Sequence, residues 1–224
     1  STGYSYIMFR SVGDLDWDVN GNLTINHRFM TVEGLSALDA GSATISVTGN
    51  MALGGGTFFG IRNATGAISV AVTGTFNISG TPALVSFKEN YGGDVTFSSG
   101  AMTVSSGANN YFMRGNSTTG NTTVNVTGNL NVTGSSTRLH VSSGSTNVND
   151  VFLNVTNDIL ITDAQLYGAT TLGDVTVTVG RHLTQSGATS QFYAQRSANS
   201  TGVAGVTVTG TLSVSDGLYS QSLG

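Results

Sequence analysis

The stretch Val124-Asn125-Val126-Thr127-Gly128-Asn129-Leu130-Asn131-Val132 carries the pattern that decides the fold of this chain. Apolar and polar residues alternate on both sides of a central Val-Thr-Gly, and similar stretches occupy residues 45–53 and 206–214. A period of two is typical of a β-strand with one buried face, and no convincing helical stripe accompanies it. The pattern therefore predicts a β-strand that is repeated along the chain.

The unit returns at near-regular intervals. Its central position is taken in turn by Gly21, Gly49, Gly74, Gly100, Gly128, Asn157, Arg181 and Gly210. These positions lie 24 to 29 residues apart, with an average of 27. The residue two places later is apolar in every copy: Leu23, Met51, Phe76, Met102, Leu130, Ile159, Leu183 and Leu212.

A strand that recurs in this way, with no helix between copies, can bury its apolar face by stacking on the copy before it. A second apolar cluster follows in most copies, such as Phe58-Phe59 and Phe192-Tyr193, and predicts another sheet of each coil. We therefore predict an all-β fold, a single-stranded parallel β-helix (β-solenoid) of about eight coils with about 27 residues per coil. The crossover rule for parallel strands favours a right-handed coil.

Two local features are expected from departures in the pattern. The central glycine should lie at a bend, either because the backbone needs a positive φ, which would suit Asn157, or because no Cβ fits there. In the fourth copy, Val95 and Phe97 are one residue out of phase with Ser98, which predicts a bulge or an irregular strand.

Residues 1–224 are expected to form one solenoid domain. The opening residues Tyr4–Phe9 resemble the later part of a coil, and no capping segment is visible at either end. Exposed terminal coils present strand edges that pair readily with other strands. The chain is therefore expected to be part of a longer repetitive polypeptide, or to associate end to end with another copy.

Composition excludes several classes of function. Only 9% of the residues are charged, the formal net charge is −4, and the eight basic residues are spread along the chain. Nucleic acid is not an expected partner, because phosphate binding needs clustered basic residues. No apolar run approaches the ~18 residues that a membrane-spanning helix needs. The chain has no cysteine, so its stability must come from packing and hydrogen bonds.

The clearest acidic cluster is Asp14, Asp16 and Asp18, which should share the outer face of one strand. One interpretation is a surface Ca²⁺ site, since calcium binds carboxylate oxygens, and no other cofactor is expected. The alternative is an ordinary solvated acidic face. The residues expected beside them in the next coil, Ser42, Thr44 and Ser46, add no charge.

Catalysis is not expected. Parallel β-helices that cut acidic polysaccharides need converging carboxylates or a calcium cluster beside a basic residue. Here the remaining aspartates are dispersed, mostly at turn positions, and the three histidines occupy different places in the repeat. Polysaccharide binding or cleavage stays an alternative. A further alternative is ice binding by an outward threonine column beside the central glycine: Thr48, Thr73, Thr127, Thr156 and Thr209.

The units at Val47–Gly56 and Val126–Gly134, with Val-Thr-Gly-Asn-Leu/Met followed by glycine, resemble the long repetitive surface proteins that Gram-negative bacteria export by type IX secretion. The similarity covers nearly all of the chain. It implies an extracellular or cell-surface stalk, adhesin or filament, for which surface glycans are possible partners. It carries over no catalytic residues, and the sorting domain of that secretion route is not seen. A structural or adhesive solenoid segment is therefore the function that the sequence favours.

Overall fold

The computed structural model describes residues 6–11, 13–26, 29–34, 41–55, 58–62, 66–80, 84–89, 93–107, 109–114, 120–144, 149–170, 172–196 and 201–223. Within these ranges the chain forms 25 strands and no helix. In chain order the strands are β1 (Tyr6–Ser11), β2 (Leu15–Val19), β3 (Leu23–Ile25), β4 (Phe29–Gly34), β5 (Ala43–Val47), β6 (Met51–Leu53), β7 (Phe58–Arg62), β8 (Ile68–Val72), β9 (Phe76–Ile78), β10 (Leu84–Glu89), β11 (Val95–Ser99), β12 (Met102–Ser105), β13 (Asn109–Arg114), β14 (Thr122–Val126), β15 (Leu130–Thr133), β16 (Arg138–Ser143), β17 (Val151–Val155), β18 (Ile159–Thr162), β19 (Gln165–Thr170), β20 (Val175–Val179), β21 (Leu183–Ser186), β22 (Gln191–Arg196), β23 (Ala204–Val208), β24 (Leu212–Val214) and β25 (Leu218–Leu223).

The strands belong to three sheets, and each coil contributes one strand to each sheet. Sheet 1 is β2-β5-β8-β11-β14-β17-β20-β23, sheet 2 is β3-β6-β9-β12-β15-β18-β21-β24, and sheet 3 is β1-β4-β7-β10-β13-β16-β19-β22-β25. Neighbouring strands in all three sheets are parallel. The predicted parallel β-solenoid is confirmed. The number of levels differs slightly from the predicted eight, since sheet 3 has nine described strands.

Like residues stack on like residues inside the coil. In sheet 1, Val126 lies in register with Val155, and Val155 with Val179. In sheet 2, the predicted apolar column is aligned in register from Leu23 to Leu212. Side chains of the middle coils, such as Ile45, Phe97 and Leu153, are fully buried, so a continuous apolar core runs along the solenoid axis.

The sequence pattern predicted one strand for the nine-residue unit, but the unit forms two strands. The chain bends at the central glycine, so that β14 lies in sheet 1 and β15 in sheet 2. The bend predicted at the central glycine is confirmed. Alternation continues across it because both strands turn the same set of side chains inward, so the pattern did not show that the two halves belong to different sheets. The second apolar cluster forms sheet 3, as predicted. β1 also lies in sheet 3, at the later part of a coil, while Tyr4 and Ser5 are outside the described residues.

The predicted bulge in the fourth copy is wrong. β11 pairs with β8 and β14 without any shift, and Ser99, not Ser98, occupies the inward position between Val72 and Val126. The irregularity is a deletion at the corner: two residues separate Ser99 from Met102, where three separate Val126 from Leu130. A register shift is found instead between β7 and β10, near Ser86 and Glu89.

The corner glycines are explained mainly by lack of space. A Cβ at Gly74 or Gly100 would lie 2.8 Å or 2.7 Å from a backbone carbonyl oxygen of the preceding coil. Within this column the positive-φ explanation applies to Gly21, at +133°, but not to Asn157, whose φ is not positive. Glycine thus allows consecutive corners to approach closely enough for backbone hydrogen bonds, as between Gly128 N and Gly100 O at 2.7 Å.

Candidate functional site

The predicted acidic cluster lies at the start of sheet 1. Asp16 and Asp18 are exposed on the outer face of β2, in register with Thr44 and Ser46. Asp14 precedes the strand, and its Oδ1 accepts hydrogen bonds from the backbone N and the Oγ of Ser42, each at 2.8 Å. These two bonds, the backbone one first, hold the pKa of the Asp14 carboxyl below its usual value.

The three carboxylates do not converge as a calcium site requires. Alternate residues of a strand are ~7 Å apart, whereas Ca²⁺ gathers six to eight oxygens at about 2.4 Å. In the part of the chain that the structure describes, no three or more His, Cys, Asp or Glu side chains are grouped closely enough to hold a metal ion. These distances do not favour a calcium site at Asp14, Asp16 and Asp18, which stays a prediction.

Other acidic residues belong to a hydrogen-bonded ladder at the corner that precedes sheet 1. In this first corner ladder, the Oδ1 of one residue accepts the backbone N–H of its counterpart one coil later. The bonds run from Asn121 to Asp94 (2.9 Å), Asp150 to Asn121 (3.1 Å), Asp174 to Asp150 (3.0 Å) and Val203 to Asp174 (2.7 Å). Each side chain thus extends the backbone hydrogen bonding of the sheet around the corner.

A second corner ladder lies between sheets 1 and 2. Asn22 Oδ1 accepts from Asn50 N and Asn50 Oδ1 from Thr75 N, both at 2.8 Å. Further along, Asn129 Oδ1 accepts from Asp158 N, Asp158 Oδ1 from His182 N, and His182 Nδ1 from Thr211 N at 3.0 Å. Four of the aspartates that the sequence showed to be dispersed, Asp94, Asp150, Asp158 and Asp174, therefore have a structural role. The sequence signal was present, since Asx residues recur one residue after the central position and seven residues before it, or six in the shortened fourth copy.

The threonine column lies at this corner and not on a flat face. Thr48 Oγ1 accepts the N–H of Gly21 at 2.8 Å and lies 3.2 Å from Asn20 Oδ1. Thr127 Oγ1 donates to Ser99 O at 3.2 Å. These hydroxyls bond to the preceding coil, which supports the structural interpretation of the column over an ice-binding one.

A shallow depression of about 470 Å³ lies where sheet 2 ends, around Ser106 and Ser136. Both residues adopt a positive φ, at 62° and 64°. Its lining consists of serine, threonine and glycine residues, which supply hydroxyl and backbone groups but no titratable side chain. The depression therefore offers no acid, base or charge for chemistry.

Sheet 3 also aligns opposite charges in one register column. Arg10 lies opposite Glu33, which lies opposite Arg62, and Glu89 lies between Arg62 and Arg114. Sequence reasoning missed the column because it regarded the arginines as scattered, although they return with the glutamates at the interval of the coil.

The most developed side-chain cluster lies on sheet 3, across β16, β19 and β22. The rings of His140, Tyr167 and Tyr193 form a stack in register, with centroids 4.4 Å and 5.4 Å apart. The Arg196 guanidinium lies 5.4 Å from the centroids of both tyrosine rings, and its Nη1 donates to Tyr167 Oη at 3.3 Å. Tyr167 Oη is also 2.8 Å from Gln165 Oε1 and 3.1 Å from Gln191 Oε1.

The surroundings in this aromatic cluster shift the pKa values of His140 and Tyr167. Burial, with further contributions from Arg138 and Arg196, lowers the pKa of His140 to about 3, so that its imidazole is neutral at physiological pH. Burial raises the pKa of Tyr167 against the opposing effect of the same two arginines. His140 and His182 occupy different places in the repeat, as the sequence indicated, and His27 lies outside the described residues. Sequence reasoning missed that His140 stacks on tyrosines of later coils.

Comparisons with protein-family models, with curated proteins and with solved structures found no match. No helix long and apolar enough to cross a bilayer occurs among the described residues. The functional argument therefore depends on the geometry of this chain alone.

Proposed function

We propose that this chain is a structural and adhesive segment of an extracellular bacterial stalk, adhesin or filament. The observation that carries the proposal is the continuous parallel stacking of all three sheets around one sealed core. Eight levels spaced about 4.8 Å apart make a rod of roughly 40 Å. A rod whose interior is filled by side chains can form a long and stiff stalk. The residues on its outer faces can differ from coil to coil without disturbing the core.

The use of the acidic residues supports a structural role over a catalytic one. In both corner ladders, carboxylate and amide oxygens bind backbone N–H groups of the next coil. Such bonds satisfy donors at corners, where the sheet hydrogen bonding would otherwise lapse. We propose that the chain has no enzymatic activity.

The last described coil supports association through the solenoid axis. Leu212 and Val214 are 45% and 42% exposed, although Leu183 and Gln185, in register with them one coil earlier, are fully buried. A further coil stacked on this face would cover them as each coil covers the one before. We propose that such a coil comes from a second copy or from the same polypeptide.

The test combines localisation with particle shape. Immunogold labelling of the source cells is expected to place the protein on their surface, and negative-stain electron microscopy of the purified chain is expected to show rods that lengthen with concentration. Label confined to the cytoplasm would contradict the extracellular role. A compact monomer at every concentration in analytical ultracentrifugation would contradict end-to-end association.

A further inference from the structure

The outer face of sheet 3 presents a line of hydrogen-bond donors. Arg138, Gln165 and Gln191 are in register on β16, β19 and β22. The Oε1 atoms of both glutamines are turned toward Tyr167 Oη, at 2.8 Å and 3.1 Å. The phenol has one proton to donate, and Gln165 Oε1 is the nearer acceptor, so the Nε2 group of Gln165 points away from the phenol, on the strand next to the exposed Arg138.

Arg196 adds a second guanidinium to the same face. It is exposed, yet its planar group is held over the Tyr167 and Tyr193 rings at 5.4 Å from each centroid. One of its five N–H donors binds Tyr167 Oη. The others are available to a ligand in a position that the ring stack fixes in advance, which lowers the entropy cost of binding.

The positive charge of this face is not balanced by nearby acids. Within the described residues, neither Arg138 nor Arg196 forms an ion pair, whereas the exposed Arg181 has its Nε 3.8 Å from Asp158 Oδ1. The neighbouring segments 145–148 and 197–200 contain no Asp or Glu in the sequence. His140 adds no charge of its own to this face, because its lowered pKa keeps the imidazole neutral. Among the described residues, Arg138 and Arg196 are thus two cations without an acidic partner on one face of a chain whose net charge is −4.

We propose that Arg138, Gln165, Gln191 and Arg196 form a binding site for the carboxylate groups of an acidic polysaccharide. Guanidinium groups pair with carboxylates through two parallel hydrogen bonds, and the amide N–H groups would complete the contact. The donors extend over three consecutive coils, about 10 Å along the axis, and so form a line that fits an extended charged chain better than a single small anion. The inference deepens the adhesive part of the proposed function and rests on it.

The experiment uses the full chain in affinity electrophoresis through gels that contain polygalacturonate, with dextran as the neutral comparator. The wild-type protein is expected to be retarded by polygalacturonate and not by dextran, and less so at higher salt. R138Q and R196Q should each weaken binding about tenfold, which corresponds to the loss of one charge-assisted contact of about 1.4 kcal/mol. R181Q is the matched control, because Arg181 is also exposed but already lies beside an acid, and it should bind as the wild type does.

Several results would overturn the site. They are the absence of retardation, equal retardation by dextran, an equal loss in R181Q, or equally tight binding of duplex DNA that depends on the same arginines. Circular dichroism checks that the variants fold. R196Q removes a contact to the ring stack, and if that variant does not fold, R138Q alone still tests the site. If the protein forms rods but does not bind polygalacturonate, only this inference is overturned. If it binds polygalacturonate but forms no rods, only the structural proposal is overturned.

Discussion

The Oδ1 atom of Asp150 accepts the backbone N–H of Asp174, its counterpart one coil later, at 3.0 Å. Asn121 provides the same bond to Asp150 in the coil before, so the ladder needs an oxygen at this position and not a charge. The corner ladders thus explain why Asx residues recur at fixed places in a chain with few charged residues.

Replacement of Asp150 tests this explanation. D150A should lower the free energy of unfolding by about 1 kcal/mol, because the N–H of Asp174 loses its partner. D150N should have a much smaller effect, since its amide oxygen can accept the same bond. Urea denaturation measures both variants, and a D150N variant as unstable as D150A would show that charge matters more than the acceptor.

The two phenylalanines of sheet 1 test the register of its strands. Phe97 is fully buried, with its ring centroid 4.9 Å from that of Phe76, whereas Phe152 lies on the outer face of β17. F97A should cost about 3–5 kcal/mol through lost burial and the cavity it leaves, and F152A less than about 1 kcal/mol. Because a slip of one residue exchanges the two faces, equal losses in thermal or urea unfolding would contradict the described register.

Ser99 offers a stabilising substitution. It is 3% exposed in a column that is otherwise valine, between Val72 and Val126, and among the described residues its Oγ has no hydrogen-bond partner. S99V should raise the free energy of unfolding by about 1 kcal/mol, since it replaces an unsatisfied buried hydroxyl with the two methyl groups of valine. The control S98V changes the neighbouring outward residue and should have little effect. A destabilised S99V would mean that the shortened corner leaves no room for valine.

His140 should make stability depend on pH in a defined window. Its folded pKa of about 3 lies below the unfolded value of 6.5, so the unfolded state binds the proton first as the pH falls. The stabilising contribution is therefore complete above pH 6.5 and is lost between pH 6.5 and 3, by up to about 1.4 kcal/mol per pH unit.

The variant H140F isolates this contribution, because phenylalanine can stack on Tyr167 but does not titrate. The difference in unfolding free energy between wild type and H140F, measured by urea denaturation from pH 4 to 8, should change across the window. A difference that is constant with pH would show that His140 is protonated in the folded chain as readily as in the unfolded one.

The sequence alone determined that the chain is a parallel solenoid. A column such as Leu130, Ile159 and Leu183 returns with the length of the coil, and apolar residues spaced in this way are buried together only when successive coils stack in register. The interval also predicted which residues face each other, and the resemblance of the repeats suggested a surface role that remains a proposal.

The tertiary structure alone decided which sheet each strand joins and which polar atoms meet. Alternation records whether a side chain is buried, but not the direction of the strand, so the assignment of β14 and β15 to different sheets and the inward place of Ser99 were not visible in the pattern. The bonds of Asp150, and the stack of His140 on Tyr167 beneath Arg138 and Arg196, depend on contacts between successive coils. Such contacts are set by the path of each corner, which varies in length from coil to coil.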